Sequence, residues 1–122
     1  MKKRKKKSRF KRGSYFFLKA NKEFKYRSSW ELAYMKFLDS DLFIVSYDYE
    51  SIKIPYLYRK KKSNYIPDFI IDNKIIVEIK PKRHLLKKRN ISKFYAAQEY
   101  CLKNSMTFKV ITENDLKLLG II

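Results

Sequence analysis

Two apolar segments on either side of Asp72-Asn73 constrain the fold of this 122-residue chain most strongly. Residues 65–71 and 74–80 are rich in isoleucine and valine, which favour β-strands. Asp and Asn tolerate the left-handed backbone of a tight turn, and Pro81 ends the second segment because proline has no N–H for a sheet ladder. The sequence therefore predicts an antiparallel hairpin.

Charged residues interrupt this hairpin where apolar ones would be expected. Asp68 lies between isoleucines, and Glu78 and Lys80, two residues apart, share one face of their strand. A charge in a central strand is costly unless it is paired or binds metal. Asp68 and Glu78 can converge on one divalent cation; their oxygen donors suit Mg²⁺, with Mn²⁺ as a substitute. Lys80 would then orient or deprotonate the attacking water, or meet phosphate charge.

The competing interpretation is a hairpin with a solvated polar face and an incidental Asp68–Lys80 pair. The turn length separates the two. A two-residue turn places Asp68 opposite Val77 and leaves Glu78 on the other face, because opposed residues share a face. The metal site requires a three-residue loop, such as residues 72–74, or a β-bulge.

The charge of the chain indicates a polyanionic partner. Lys and Arg number 30 against 12 Asp and Glu, for a net charge of +18, and no acid precedes Glu23. Nucleic acid and anionic membranes are the natural partners. No apolar run approaches the roughly 20 residues of a transmembrane helix, and no signal-peptide core follows the basic start. We therefore expect an intracellular protein that binds nucleic acid and no membrane.

Composition excludes several other classes. With 45% hydrophobic residues the chain is not a disordered basic tail, and only two glycines exclude a phosphate-binding glycine-rich loop. One Cys and one His are too few for a zinc site, a disulfide framework or a serine-protease triad. A Cys101–His84 dyad is arithmetically possible, but Cys101 lies on an apolar helix face typical of an inert buried thiol.

The sequence predicts a basic flexible arm over residues 1–25 and a single domain over residues 26–122. The arm either contacts phosphates or is a solvated tail. Ser28 is a good N-cap for the first helix, with Glu31 in the capping-box position. The other predicted elements are strands over 42–49 and 52–58, a basic loop over 59–64, the hairpin, a second basic loop over 82–90, a helix over 91–103, a strand over 107–111 and a short helix ending at 119.

Several strings in order resemble the PD-(D/E)XK nuclease superfamily, and within it the head completion nucleases of tailed bacteriophages. More distantly they resemble the TnsA-like endonucleases of transposons. The resemblance implies an α/β fold with a restriction-endonuclease-like αβββαβ core, whose mixed central sheet is flanked by helices. The strings that carry it are Tyr26-Arg27-Ser28-Ser29-Trp30-Glu31, Ile54-Pro55-Tyr56, Pro67-Asp68, Val77-Glu78-Ile79-Lys80-Pro81-Lys82, Lys93-Phe94-Tyr95-Ala96-Ala97 and Phe108-Lys109-Val110-Ile111-Thr112-Glu113.

The same resemblance implies a Mg²⁺-dependent DNA endonuclease acting on phage DNA during packaging or head completion. Its location would be the host cytoplasm during assembly, or the virion, with portal or neck proteins as partners. Asp68 and Glu78 would be the metal carboxylates, Lys80 the catalytic lysine and Glu31 the helix carboxylate. The basic loops would line a DNA groove, and two helix positions would face the site. The expected DNA-binding residues are Lys60, Lys61, Lys62, Lys82, Arg83, Lys87, Lys88, Arg89, Lys93 and Gln98.

Other functions share these features. A head-assembly protein that binds DNA without useful catalysis has the same charge, and so has a Holliday-junction resolvase, which would need a dimer, or a TnsA-like transposon nuclease. The intact set of Glu31, Asp68, Glu78 and Lys80 favours an enzyme, because carboxylates beside a phosphate backbone repel it. Glu31 keeps two interpretations, a helix cap and a catalytic carboxylate.

Overall fold

The computed structural model describes residues 12–122. Within these residues, two strands precede the first helix, five follow it, and one lies between the last two helices. A 3₁₀ turn, Lys82–His84, follows β7. The elements are β1 Gly13–Phe17, β2 Lys22–Tyr26, α1 Ser29–Ser40, β3 Tyr47–Tyr49, β4 Ile54–Tyr58, β5 Lys61–Tyr65, β6 Phe69–Ile71, β7 Ile75–Ile79, α2 Lys88–Lys103, β8 Thr107–Ile111 and α3 Glu113–Leu118.

The central sheet has four strands in the order β3-β6-β7-β8. The β3–β6 and β6–β7 pairs are antiparallel, and β8 lies parallel to β7. A parallel pair needs a crossover connection, which α2 supplies. This mixed sheet with flanking helices confirms the predicted fold class.

Alternate residues of the sheet face two separate cores. Phe69 and Val77 point into a cluster formed with α1, α3 and the β1–β2 hairpin. Ile76 points the other way, into a cluster with Ala97 and Cys101 of α2 and with the β4–β5 hairpin. Cys101 is therefore a buried thiol, as predicted, and burial raises its pKa.

The β6–β7 hairpin has the three-residue loop that the metal site requires. Ile71 pairs with Ile75, so residues 72–74 form the loop. Asp72 and Asn73 have φ values of 51° and 54°, the left-handed region that these residue types tolerate. Phe69 pairs with Val77, and the next pair outward in the same register is Asp68 with Glu78. The predicted register is confirmed.

The prediction of a flexible arm over residues 1–25 is wrong for the second half of that range. Residues 13–26 form the antiparallel β1–β2 hairpin, which packs on α1. Asp39 of α1 accepts hydrogen bonds from the Tyr15 hydroxyl at 3.0 Å and from the backbone N–H of Lys19 at 3.2 Å. Phe17 is fully buried between ring neighbours. The first eleven residues of the predicted arm lie outside the described residues.

Two strand predictions also need correction. In the segment 42–49 only Tyr47–Tyr49 is a strand, because the Asp72 carboxylate accepts the N–H groups of Val45 and Ser46 and holds them in a loop. The predicted strand 65–71 is divided in two at Pro67. Its first residue ends β5, which pairs with β4, and its last three residues form β6.

The basic loops are largely regular structure. Arg59 and Lys60 make a two-residue turn with φ values of 49° and 63°, and Lys61 and Lys62 lie on β5. The helix predicted over 91–103 begins three residues earlier, at Lys88, which takes Arg89 out of the second loop. None of the helices within residues 12–122 is long and apolar enough to cross a membrane.

Candidate active site

Asp68 and Glu78 lie at adjacent strand positions, buried at the same end of the sheet. Their relative exposures are 7% and 5%, which for carboxylates demands compensating partners. The backbone N–H of Ile79 donates to Asp68 Oδ2 at 2.7 Å. The Tyr65 hydroxyl donates to Glu78 Oε1 at 2.6 Å. Both carboxylates are thus held by short hydrogen bonds on rigid elements.

Burial raises the pKa of Asp68 well above its usual range, and the charges of Glu78 and Glu31 raise it further. Burial also raises the pKa of Glu78, against the opposing effect of the Lys80 ammonium and the Tyr65 hydrogen bond. The protein thus holds carboxylates together in a place that disfavours their ionised forms. Such an arrangement is typical of functional sites.

Lys80 completes the predicted triad. Its Nζ lies 3.1 Å from Glu78 Oε2, with the lysine side chain 24% exposed. The competing interpretation, an incidental Asp68–Lys80 pair on a solvated face, is wrong, since the lysine pairs with Glu78 and both carboxylates are buried. Lys80 pairs with Glu78 because residues two apart in an extended segment lie on the same face.

Glu31 reaches the site from the first turn of α1 and is buried at 8% exposure. Ser28 caps the helix, accepting from the Glu31 N–H at 3.1 Å. The Glu31 side chain accepts from the Arg27 N–H at 2.8 Å, one residue before the expected capping-box partner, and from the Tyr49 hydroxyl at 2.7 Å. Glu31 therefore joins the helix end to β3 while its charge acts on Asp68.

Three residues at the site escaped the sequence analysis: Tyr49, Glu50 and Tyr65. Glu50 has a φ of 49°, its N–H donates to the Asp68 carbonyl at 2.9 Å, and its carboxylate lies 3.3 Å from Arg27 Nε. Burial raises the pKa of Glu50, Arg27 lowers it, and Glu31 and Glu78 raise it. The local sequence carried no signal for these residues, because strand pairing alone brings them to the carboxylates.

Basic residues of α2 contact tyrosines of the β4–β5 hairpin where the helix packs on β4. Arg89 Nη1 donates to the Tyr56 hydroxyl at 3.2 Å, and its guanidinium lies 4.7 Å from the Tyr58 ring centroid. Lys93 Nζ lies 5.8 Å from the Tyr65 ring centroid and lowers the pKa of Glu78. Gln98, however, is exposed. It lies five residues after Lys93, so its side chain projects roughly 140° around the helix from that lysine. The structure therefore does not bring Gln98 to the site.

The other predicted DNA-binding residues are distributed over several elements. Their positions are the β4–β5 turn for Lys60, β5 for Lys61 and Lys62, the 3₁₀ turn for Lys82 and Arg83, the residue before α2 for Lys87, and the first turn of α2 for Lys88.

The donor set fits a magnesium ion held largely by water. Among residues 12–122 no three His, Cys, Asp or Glu side chains come close enough to hold a metal together. Mg²⁺ usually takes one or two carboxylates and keeps several waters, so Asp68 and Glu78 suffice. Two buried carboxylates whose pKa values are raised by burial are the kind of pair that a divalent cation stabilises.

The TnsA-like endonuclease N-terminal family model matches residues 41–113. The head completion nuclease of Enterobacteria phage T4 is 31% identical, with the alignment covering 81% of this chain and 85% of that protein. This chain belongs to the TnsA-like endonuclease family. The family match contains Asp68, Glu78 and Lys80, whereas Glu31 lies before it. The resemblance inferred from the short strings is confirmed, and the chain is a DNA endonuclease by family.

Proposed function

We propose that this nuclease is a Mg²⁺-dependent DNA endonuclease that hydrolyses phosphodiester bonds during phage head completion or DNA packaging. The observation that carries the catalytic part is the buried pair Asp68 and Glu78, with Lys80 ion-paired 3.1 Å from Glu78. The phage part is supported by the similarity to the T4 head completion nuclease.

Each side chain has a role that its contacts support. Asp68 and Glu78 would hold the Mg²⁺, which supplies charge stabilisation at the phosphoryl group and lowers the pKa of a bound water. Lys80, with its side chain partly exposed, is placed to donate to a phosphate oxygen or to orient the attacking water. Tyr65 orients Glu78 through its 2.6 Å hydrogen bond. Glu31 adds a third carboxylate that can orient water.

A protein that only binds DNA would not be expected to keep this site. Buried carboxylates of raised pKa lower the stability of the metal-free fold, and their charge repels phosphate. The surrounding protein surface is strongly basic, with a chain net charge of +18. Local acids within a basic surface are what metal-assisted phosphodiester hydrolysis requires.

Cleavage of supercoiled plasmid, linear duplex and four-way junction DNA tests the catalytic part. We expect cutting with Mg²⁺ or Mn²⁺, no cutting with EDTA, and no cutting by Glu78→Gln, which keeps a carbonyl oxygen to accept the Tyr65 hydrogen bond. Lys103→Gln, at the far end of α2, is the matched control and should cut like the parent. Equal cutting in EDTA, or by Glu78→Gln, contradicts the proposed site. Preference for the junction would favour a resolvase.

Cosedimentation with DNA-filled heads of a tailed phage tests the assembly role. We expect the protein to bind filled heads after free DNA has been removed by a nonspecific nuclease. Cleavage of free DNA without any association with heads would contradict the packaging role and leave the endonuclease activity standing.

A further inference from the structure

A basic groove beside the carboxylates lies outside the two basic loops that were predicted to line the DNA groove. It runs between the open end of the β1–β2 hairpin and the residue that follows β3, with a volume of about 670 Å³. Arg12, Lys25 and Arg27 line it, with Tyr26 and Glu50 between them. Clefts of roughly 300–1,000 Å³ hold drug-sized ligands, so a nucleotide-sized group fits in it.

The groove adjoins the active site through Glu50 and Arg27. Glu50 lines it, and the Glu50 N–H donates to the Asp68 carbonyl at 2.9 Å. The Arg27 backbone N–H donates to Glu31 at 2.8 Å, so the residue that follows β2 contacts both the groove and the helix carboxylate. A DNA strand bound in the groove would therefore lie against two residues that themselves contact Asp68 and Glu31.

Glu50 holds the Arg27 guanidinium over the groove. Their ion pair measures 3.3 Å, while the arginine side chain remains 71% exposed and able to donate to a ligand. Glu50 has φ 49°, a left-handed conformation uncommon for Glu, at the end of β3. Such conformations cluster at functional sites. Glu50 is a positioning residue in this arrangement, because it holds Arg27 in place. The cations of the groove are the groups that would donate hydrogen bonds to a phosphate.

Gly13 allows the groove wall to form. It pairs with Tyr26 across the hairpin, and a Cβ at this position would lie 2.3 Å from the Tyr26 hydroxyl oxygen. A side chain at position 13 would displace this ring. Tyr26 lines the groove together with Lys25 and Arg27, so an aromatic ring and two cations border one cleft, a combination suited to nucleic acid.

We infer that this groove binds the phosphate backbone of the DNA on one side of the scissile bond, through Arg12, Lys25 and Arg27. The inference rests on the proposed endonuclease function and adds the path of the substrate. Three cations against one ion-paired carboxylate give the groove a net positive charge.

The salt dependence of DNA binding tests it. Binding of a fluorescein-labelled duplex to the full chain is measured by anisotropy in EDTA, over a series of salt concentrations. We expect Lys25→Gln and Arg27→Gln each to lower the slope of log K against log salt by about 0.9, the value for one neutralised phosphate. Arg27→Lys should keep the parental slope, because it keeps the charge. Lys103→Gln is the control and should leave the slope unchanged.

Cleavage with Mg²⁺ completes the test. Lys25→Gln should raise KM severalfold and leave kcat near the parental value, since the interaction is made equally in the ground and transition states. Slopes and KM values equal to the parent, in a parent that cuts DNA, overturn the groove. A parent that neither binds nor cuts DNA in any condition overturns the proposed function instead.

Discussion

At the residue scale, the contacts of Glu31 bear on the two alternative roles that the sequence left open, a helix cap and a catalytic carboxylate. Its carboxylate accepts from the Arg27 N–H and the Tyr49 hydroxyl, and its charge raises the pKa of Asp68. The helix cap itself is Ser28. One side chain thus ties the helix end to the sheet and lies close enough to Asp68 for its charge to act there.

Glu31→Gln separates these roles. The amide oxygen can accept the same two hydrogen bonds, so we expect a stability loss below about 1 kcal/mol. Cleavage should fall roughly 100-fold or more, the scale of losing one positioned catalytic group. Ser28→Ala is the contrasting change: it should cost about 1 kcal/mol of stability and leave kcat unchanged. Near-parental cleavage by Glu31→Gln would restrict the site to Asp68, Glu78 and Lys80.

Asp68→Asn should stabilise the metal-free protein. Because burial and neighbouring carboxylates raise the pKa of Asp68, folding works against its ionised form, and at neutral pH that charge lowers stability. Asparagine removes the charge and can still accept from the Ile79 N–H. We expect a melting temperature a few degrees above the parent in EDTA, with no cleavage. A lower melting temperature would show that the charge is already compensated.

Magnesium should stabilise the parent and not the Asp68→Asn protein. A ligand that binds only the folded state raises stability by RT ln(1 + [L]/Kd), about 2.7 kcal/mol at 100 times Kd. Thermal denaturation with increasing MgCl₂ measures this directly, with choline chloride at matched ionic strength as the control. Equal shifts in both proteins would indicate that Mg²⁺ binds elsewhere.

At the element scale, the β6–β7 loop sets the register that places Asp68 opposite Glu78. Ile71 and Ile75 close a three-residue loop, and the Lys74 N–H donates to the Ile71 carbonyl at 2.9 Å. A shift of one residue in the pairing of the two strands would turn every side chain of the shifted strand to the other face of the sheet.

Deleting Ile76 should therefore abolish cleavage. With the three-residue loop kept, the shortened β7 would place Asp68 opposite Ile79 and turn Glu78 towards the face of Phe69, in the apolar core. Asn73→Gly is the control, because glycine adopts the φ of 54° readily and keeps the loop length. We expect parental cleavage from the substitution, and loss of cleavage with a lower melting temperature from the deletion. A deletion that still cuts would mean that the register does not bring the two carboxylates together.

At the scale of the whole molecule, positive charge surrounds a small acidic centre. Eight of the basic residues lie within the first eleven positions, outside the described residues, and the remainder of the chain is still basic. DNA should be attracted to the whole surface, while the carboxylates act only where they are buried. Affinity and catalysis are therefore separable by mutation.

Deleting residues 2–11 should weaken DNA binding without slowing cleavage at saturating DNA. Each phosphate that the segment neutralises adds about 0.9 to the log–log salt slope, and its eight cations set the upper limit of the change. Anisotropy titrations over a salt series measure the slope, and single-turnover cleavage at saturating protein measures the rate. An unchanged slope would assign the segment to solubility or to a protein partner.

The sequence by itself determined those features that depend on neighbours along the chain. Apolar strand periodicity, the Asp72-Asn73 turn and Pro81 predicted the central hairpin, and two-residue spacing put Glu78 and Lys80 on one face. Ser28 was correctly predicted as the N-cap. These are local preferences of backbone and side chain, which survive whatever the rest of the chain does.

Only the tertiary structure decided the rest. Glu50, Tyr49 and Tyr65 reach the carboxylates through strand pairing and hydrogen bonds between residues up to 18 positions apart. The β1–β2 hairpin is held by Asp39 of α1 and by the aromatic core around Phe17, which includes Tyr47 and Tyr49 of β3. Strand pairing and burial depend on partners distant in the chain, so composition and periodicity could not specify them.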